Sequence, residues 1–183
     1  MALKLGDNES LRQHHLGTQH VTSFNHYPSL PIDLLRAGEA ARSPCHSDFG
    51  TLTLLFQRGV SGLEIADMSS TEEFQSVPVE KTATFIPVDP DPEAIIVFGG
   101  YLMTRWTNRR WRGAVHRVTA PRGLEGGVET PERYSIVFFA NPERATMVKP
   151  VSSCENHKDG NTYGPINAGK YFDKKRRDVY SPL

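Results

Sequence analysis

The sequence predicts an all-β protein, either a closed barrel or a double-sheet jelly roll. Three observations carry this expectation. Short runs with strand character recur along the 183 residues, Gly and Pro fall between them, and no long amphipathic helical pattern interrupts the series. The runs lie at 51–57, 63–67, 82–88, 94–98, 114–119 and 133–140, separated by Gly59, Gly62, Pro90, Pro92, Gly99, Gly100, Pro121, Gly123, Gly126 and Gly127. A roll of this kind gathers residues that are distant in sequence at one mouth.

The elements follow in order. Residues 9–16 are a short helical candidate after the turn at Gly6-Asp7-Asn8. His14, His15 and His20 have no carboxylate or cysteine at ligand spacing and read as surface histidines. Residues 21–28 form a strand ended by Pro28. Three prolines make 28–45 a loop with one helical turn at 32–36, and the strand runs follow. Lys174-Lys175-Arg176-Arg177 could be a localisation signal, but a charged face on a closing C-terminal helix is the commoner use of such a run.

Composition narrows the function classes. With 38% hydrophobic residues, the chain can bury the core of one domain. Its 21 basic and 21 acidic side chains cancel, leaving no global field to draw nucleic acid or an anionic membrane surface, so neither is expected as a partner. No apolar run approaches the ~20 residues that span a bilayer, and the N-terminus lacks a signal-peptide pattern. The default expectation is a soluble cytoplasmic protein. Cys45 and Cys154 are too few for a disulfide framework and have no zinc-type spacing, so both are expected as thiols in a reducing compartment.

The chemistry centres on His46-Ser47-Asp48. In extended backbone, residues two apart share a face, so His46 and Asp48 form two jaws of a metal clamp while Ser47 and Cys45 point away. His116 could close the clamp from another strand. Two imidazoles and one carboxylate, with other positions left open, are the ligand set of non-haem Fe(II) oxygenases. Arg133 and Ser135 share a face of the run 133–140, a fork of donors beside a hydroxyl that suits a carboxylate at the end of a pocket.

The ordered set His46-x-Asp48, His116-Arg117-Val118 and Arg133-x-Ser135 resembles the 2-oxoglutarate and Fe(II)-dependent dioxygenases of the isopenicillin N synthase-like group. Asn25-His26-Tyr27-Pro28 is similar to that family's Asn-x-Tyr-Pro element, and residues 35–42 to its fungal-type members. The resemblance implies a double-stranded β-helix, a cupin-like jelly roll with a few short flanking helices. It implies Fe(II) on His46, Asp48 and His116 as the catalytic centre. It further implies 2-oxoglutarate with its far carboxylate on Arg133 and Ser135, helped by Tyr27 and Asn25, and O2 as cosubstrate. From the residues alone, Tyr27 would simply hydrogen-bond a backbone group.

The implied reaction is hydroxylation, desaturation or ring closure of a small molecule in specialised metabolism. Two other readings stay open: an iron oxidase of the isopenicillin N synthase type that uses no 2-oxoglutarate, and a catalytically silent jelly-roll binding module. A family turn similar to 105–112 suggests a solvated hairpin there rather than a nucleic-acid contact of interleaved Arg and Trp. Where family members often have Asn-x-Gly-Asp, this chain has Val97-Phe98-Gly99-Gly100, and it has Ala114 near a usual serine or threonine. These departures are expected to affect local packing or substrate shape more than iron binding.

The implied organisation is a remnant of an N-terminal region at 1–20, the dioxygenase jelly roll at 21–150 and a C-terminal extension with a helix at 151–183, similar to the family over 169–180. Family members carry more helices and strands before Asn-x-Tyr-Pro than the roughly twenty residues present here. The expectation is therefore a short form, an incomplete gene model or a protein that needs a partner, with apolar surface that invites association.

Overall fold

A computed structural model of the chain describes residues 3, 5, 11–71, 76–155 and 163–180. Two antiparallel four-stranded sheets make up its body. The first has strand order β1-β8-β3-β6, from β1 Val21–Tyr27, β8 Arg133–Ala140, β3 Leu52–Gln57 and β6 Ile96–Gly99. The second has order β2-β7-β4-β5, from β2 Ser43–Ser47, β7 Val115–Val118, β4 Leu63–Ala66 and β5 Phe85–Val88. This is the predicted double-sheet jelly roll.

Strand parity decides what lies between the sheets. Along β8, Arg133, Ser135 and Val137 are buried while Tyr134 and Ile136 are exposed; along β3, Thr53, Leu55 and Gln57 are buried. Leu55, Phe98 and Val137 of the first sheet therefore meet Leu63 and Val118 of the second in one core cluster. A second cluster lies outside the sandwich. There α3 Tyr101–Trp106 packs Leu102 and Trp106 against Val148 of β9 Met147–Val148, and against Ala168 and Phe172 of α4 Ala168–Tyr180. β9 pairs with β10 Ile166–Asn167. The outer face of the first sheet is apolar and open: Phe24 stands opposite Ile136, and Ile136 opposite Phe56, with Phe24 78% exposed.

Several elements differ from the sequence expectation. β2 begins inside the predicted loop 28–45, at Ser43, whereas α1 Ile32–Ala37 is the helical turn expected at 32–36. β2 is an edge strand, and Pro44 falls where its register with β7 shifts, so the missing N–H costs the sheet little. The predicted strand 82–88 begins only at Phe85, because Thr82 closes α2 Ser76–Thr82; Pro78 sits in that helix's first turn, where its missing donor is tolerated. Of the helical candidate 9–16, residues 9 and 10 lie outside the described residues, and Arg12–His15 form one 3-10 turn.

Two stretches read as surface are more closely packed than that reading implies. His14, His15 and His20 are half-buried and pin the N-terminal segment to the body. His14 stacks on Trp106 at 5.2 Å, His15 Nε2 lies 2.9 Å from Thr51 Oγ1, and His20 Nδ1 accepts from the Asn141 amide at 3.3 Å. Nor is 105–112 a solvated hairpin. Arg105, Thr107 and Asn108 are buried, Arg105 lies over the Tyr163 ring at 4.5 Å, and Arg112 donates to the Thr71 carbonyl at 2.7 Å. Among the described residues no helix is long and apolar enough to cross a membrane.

Candidate metal centre and anion pocket

His46 and His116 face each other across the β2/β7 pair, and their rings lie 4.3 Å apart. Asp48 follows just beyond the end of β2, in a loop held by α3: the Tyr101 amide donates to the Asp48 carbonyl at 2.8 Å and the Leu102 amide to that of Gly50 at 3.0 Å. One ligand atom from each of the three side chains falls within 4.8 Å of the others. Asp48 Oδ1 is 3.7 Å from His46 Nε2 and 4.0 Å from His116 Nε2.

Surrounding groups aim those atoms. His46 Nδ1 lies 2.8 Å from the Pro44 carbonyl and His116 Nδ1 3.3 Å from that of Ala114. A carbonyl can only accept, so each Nδ1 carries the proton and each Nε2 presents a lone pair. Thr53 donates to Asp48 Oδ2 at 2.5 Å, which occupies one carboxylate oxygen and leaves Oδ1 turned to the histidines. Burial, and then the neighbouring His46, hold the His116 imidazole below its ordinary pKa, which favours the neutral form a metal needs. Two imidazole nitrogens and one carboxylate oxygen fit a first-row divalent metal such as Fe(II).

The same cavity, about 450 Å³ and open to solvent, is lined by His46, Asp48 and His116 at one end and by Asn25, Tyr27, Arg133 and Ser135 elsewhere. Arg133 is only 1% exposed. Its Nη2 donates to Gln57 Oε1 at 2.7 Å, whereas Nε and Nη1 are buried without a hydrogen-bond partner. The Tyr27 ring lies 4.9 Å from the guanidinium carbon. Burial lowers the Arg133 pKa, and Tyr27 offsets this only in part. An unpaired buried cation with two orphaned donors is costly unless an anion meets it, so this end fits a ligand carboxylate. Ser135 and Asn25 stand opposite each other in the β1/β8 register, and Asn25 Nδ2 reaches Ser135 Oγ at 3.4 Å.

All seven residues singled out from the sequence thus line one cavity. Sequence reasoning missed three neighbours. Thr53 and Gln57 are polar residues at the inward parity of an apolar strand, a signal that was readable in 52–57. Arg42, whose charge repels that of Arg133 and whose Nε and Nη1 are likewise buried without a partner, lies in a stretch with no period to place it. Cys45 packs beside Ala66, Val79 and Val115, and burial pushes its thiol pKa up to about 11. Neither cysteine forms a disulfide.

Comparison with known proteins agrees with this geometry. The model of the 2OG-Fe(II) oxygenase superfamily matches residues 18–142. The 2-oxoglutarate-dependent dioxygenase gloF of Glarea lozoyensis is 38% identical over 182 residues, which is 98% of this chain and 51% of that protein. The proline hydroxylase buaE of Petromyces alliaceus is 41% identical over 130 residues, 71% of this chain and 37% of its own. Among solved structures, a full-length Neurospora crassa protein in complex with alpha-KG superposes with a TM-score of 0.73 at 27% identity, covering 88% of this chain and 45% of the Neurospora chain. The chain spans about half, or less, of the length of these relatives.

Proposed function

The chain belongs to the 2OG-Fe(II) oxygenase superfamily, and we propose on that premise that it is the catalytic portion of an Fe(II)- and 2-oxoglutarate-dependent dioxygenase. Its substrate is a small molecule of specialised metabolism, which it hydroxylates, desaturates or cyclises. One observation carries the reading. A convergent set of two histidines and one carboxylate shares a cavity with a buried arginine that has two orphaned donors.

His46 and His116 would hold the metal through Nε2 and Asp48 through Oδ1, the three atoms that the Pro44 and Ala114 carbonyls and the Thr53 hydroxyl leave available. When bound, Fe(II) with 2-oxoglutarate and O2 supplies the oxidising power for C–H chemistry, with succinate and CO2 as the cosubstrate's products. Arg133 binds the far carboxylate of the cosubstrate and Ser135 adds a hydroxyl donor. Tyr27 backs the guanidinium, and Asn25 steadies Ser135. Leu55, Leu63, Phe98, Val118 and Val137 give the cavity an apolar wall that offers water no hydrogen bond.

The test is succinate release and O2 uptake by the purified chain supplied with Fe(II) and 2-oxoglutarate. Release that needs both, and that stops in Asp48→Ala, is the expected result. O2 uptake indifferent to 2-oxoglutarate would instead assign an oxidase, and failure to bind Fe(II) a silent binding module. We also propose that the apolar outer face of the first sheet mediates association; the exposed Phe24, Phe56, Val97 and Ile136 support this.

A further inference from the structure

We infer that Gln57 is a positioning residue for the cosubstrate: its side-chain carbonyl fixes the Arg133 guanidinium, and its neutrality leaves that cation's charge for the incoming carboxylate. The inference rests on the proposed role of Arg133 at the far carboxylate of 2-oxoglutarate.

Gln57 ends β3 on the strand's inward parity and is buried. In register it stands opposite Ser135 of β8, two residues from Arg133. Its amide makes two hydrogen bonds that span both sheets. Oε1 accepts from Arg133 Nη2 at 2.7 Å, and Nε2 donates to the Val88 carbonyl of β5 at 3.3 Å. Because the Val88 carbonyl can only accept, it forces the NH2 group toward β5 and the carbonyl oxygen toward Arg133. The amide orientation is therefore set by the second sheet and passed to the arginine on the first. With Nη2 held, the buried Nε and Nη1 keep a fixed direction and have no hydrogen-bond partner, with Tyr27 standing beside the guanidinium.

The choice of side chain matters electrostatically. A glutamate here would make the same contact through a carboxylate, pair with Arg133 internally and compete with the ligand for its charge. A leucine would keep the volume but leave the third guanidinium nitrogen, Nη2, without an acceptor and the plane free to turn. Glutamine anchors the cation without neutralising it.

The experiment compares two keto acids that differ only in the far end. The Mn(II)-loaded full chain, kept anaerobic so that no turnover occurs, is titrated by calorimetry with 2-oxoglutarate and with 2-oxopentanoate, which has no second carboxylate. Wild type is expected to prefer 2-oxoglutarate. Gln57→Glu should weaken 2-oxoglutarate by roughly ten- to a hundredfold while 2-oxopentanoate stays within about twofold. Gln57→Leu should show a smaller loss with the same selectivity. The 2-oxopentanoate affinity reports an intact fold and metal site in each variant, which a merely structural role for Gln57 would not spare. Unchanged 2-oxoglutarate affinity in Gln57→Glu, or equal loss of both ligands, overturns the inference. Arg133→Lys and Arg133→Ala test the reading beneath it: if they keep the wild-type preference, the far carboxylate binds elsewhere, and the assignment of Arg133 falls before that of Gln57.

Discussion

Single side chains set the chemistry of the cavity through the hydrogen bonds they accept or refuse. Asp48 shows the logic most directly, because Thr53 ties down one carboxylate oxygen and the other is left to the histidines. Thr53→Val keeps the volume and removes the donor. Anaerobic Fe(II) titration of this variant should show affinity reduced by about 10- to 100-fold, and an unchanged affinity would reject the role. His15 gives a prediction about pH. Burial lowers its pKa from the ordinary 6.5, so the unfolded chain binds a proton more readily than the folded one near neutrality. Its contribution is intact above the unfolded pKa and is lost as pH falls below it. Between about pH 7 and about pH 5, the melting temperature of wild type should therefore fall more steeply than that of His15→Gln; parallel curves would show that His15 carries no such linkage.

At the scale of elements, the site depends on how closely the Asp48 loop and the start of α3 approach. Gly100 caps α3, and a Cβ built there would lie 2.3 Å from the Gly50 carbonyl oxygen and 3.0 Å from that of Asp48, whereas at Gly99 the nearest atom would be the Met103 Cβ at 3.5 Å. Gly100→Ala should thus cost about 1–3 kcal/mol and weaken Fe(II) binding by moving Asp48, while Gly99→Ala melts and binds close to wild type; equal behaviour of the two variants would contradict this. The departure from Asn-x-Gly-Asp, expected to bear on local packing or substrate shape more than on iron binding, places Gly100 against the ligand loop. The ligands themselves were legible because His46 and Asp48 are near neighbours in extended backbone and Arg133 and Ser135 share strand parity. The burial of 105–108 was not. A six-residue helix is too short for its period to show, and the carbonyls that Arg105 and Arg112 reach, those of Gly164 and Thr71, belong to distant segments.

The whole molecule is a sandwich with one inward chemistry and one outward liability. The inner faces make the core and the cavity, and the outer face of the first sheet leaves Phe24, Val97 and Ile136 in solvent. Short strand runs between turn signals made an all-β barrel or double-sheet roll readable from sequence, whereas strand order depends on pairings such as β3 with β8 that no local pattern encodes. If the outer face mediates association, Phe24→Lys should reduce the concentration dependence of the sedimentation coefficient and leave Fe(II) binding intact, since its side chain points away from the cavity. A wild-type chain that stays monomeric across the accessible concentration range would remove that proposal without touching the metal site.

Everything in the cavity turns on whether His46, Asp48 and His116 hold one metal ion. Anaerobic equilibrium dialysis against Fe(II) tests this most directly, applied to wild type and to the three single alanine variants, with metal-free melting curves as the control for folding. The expected result is one Fe(II) per wild-type chain and its loss in each variant whose melting curve remains cooperative. A cooperatively folded His116→Ala that retains a full equivalent of iron would contradict it.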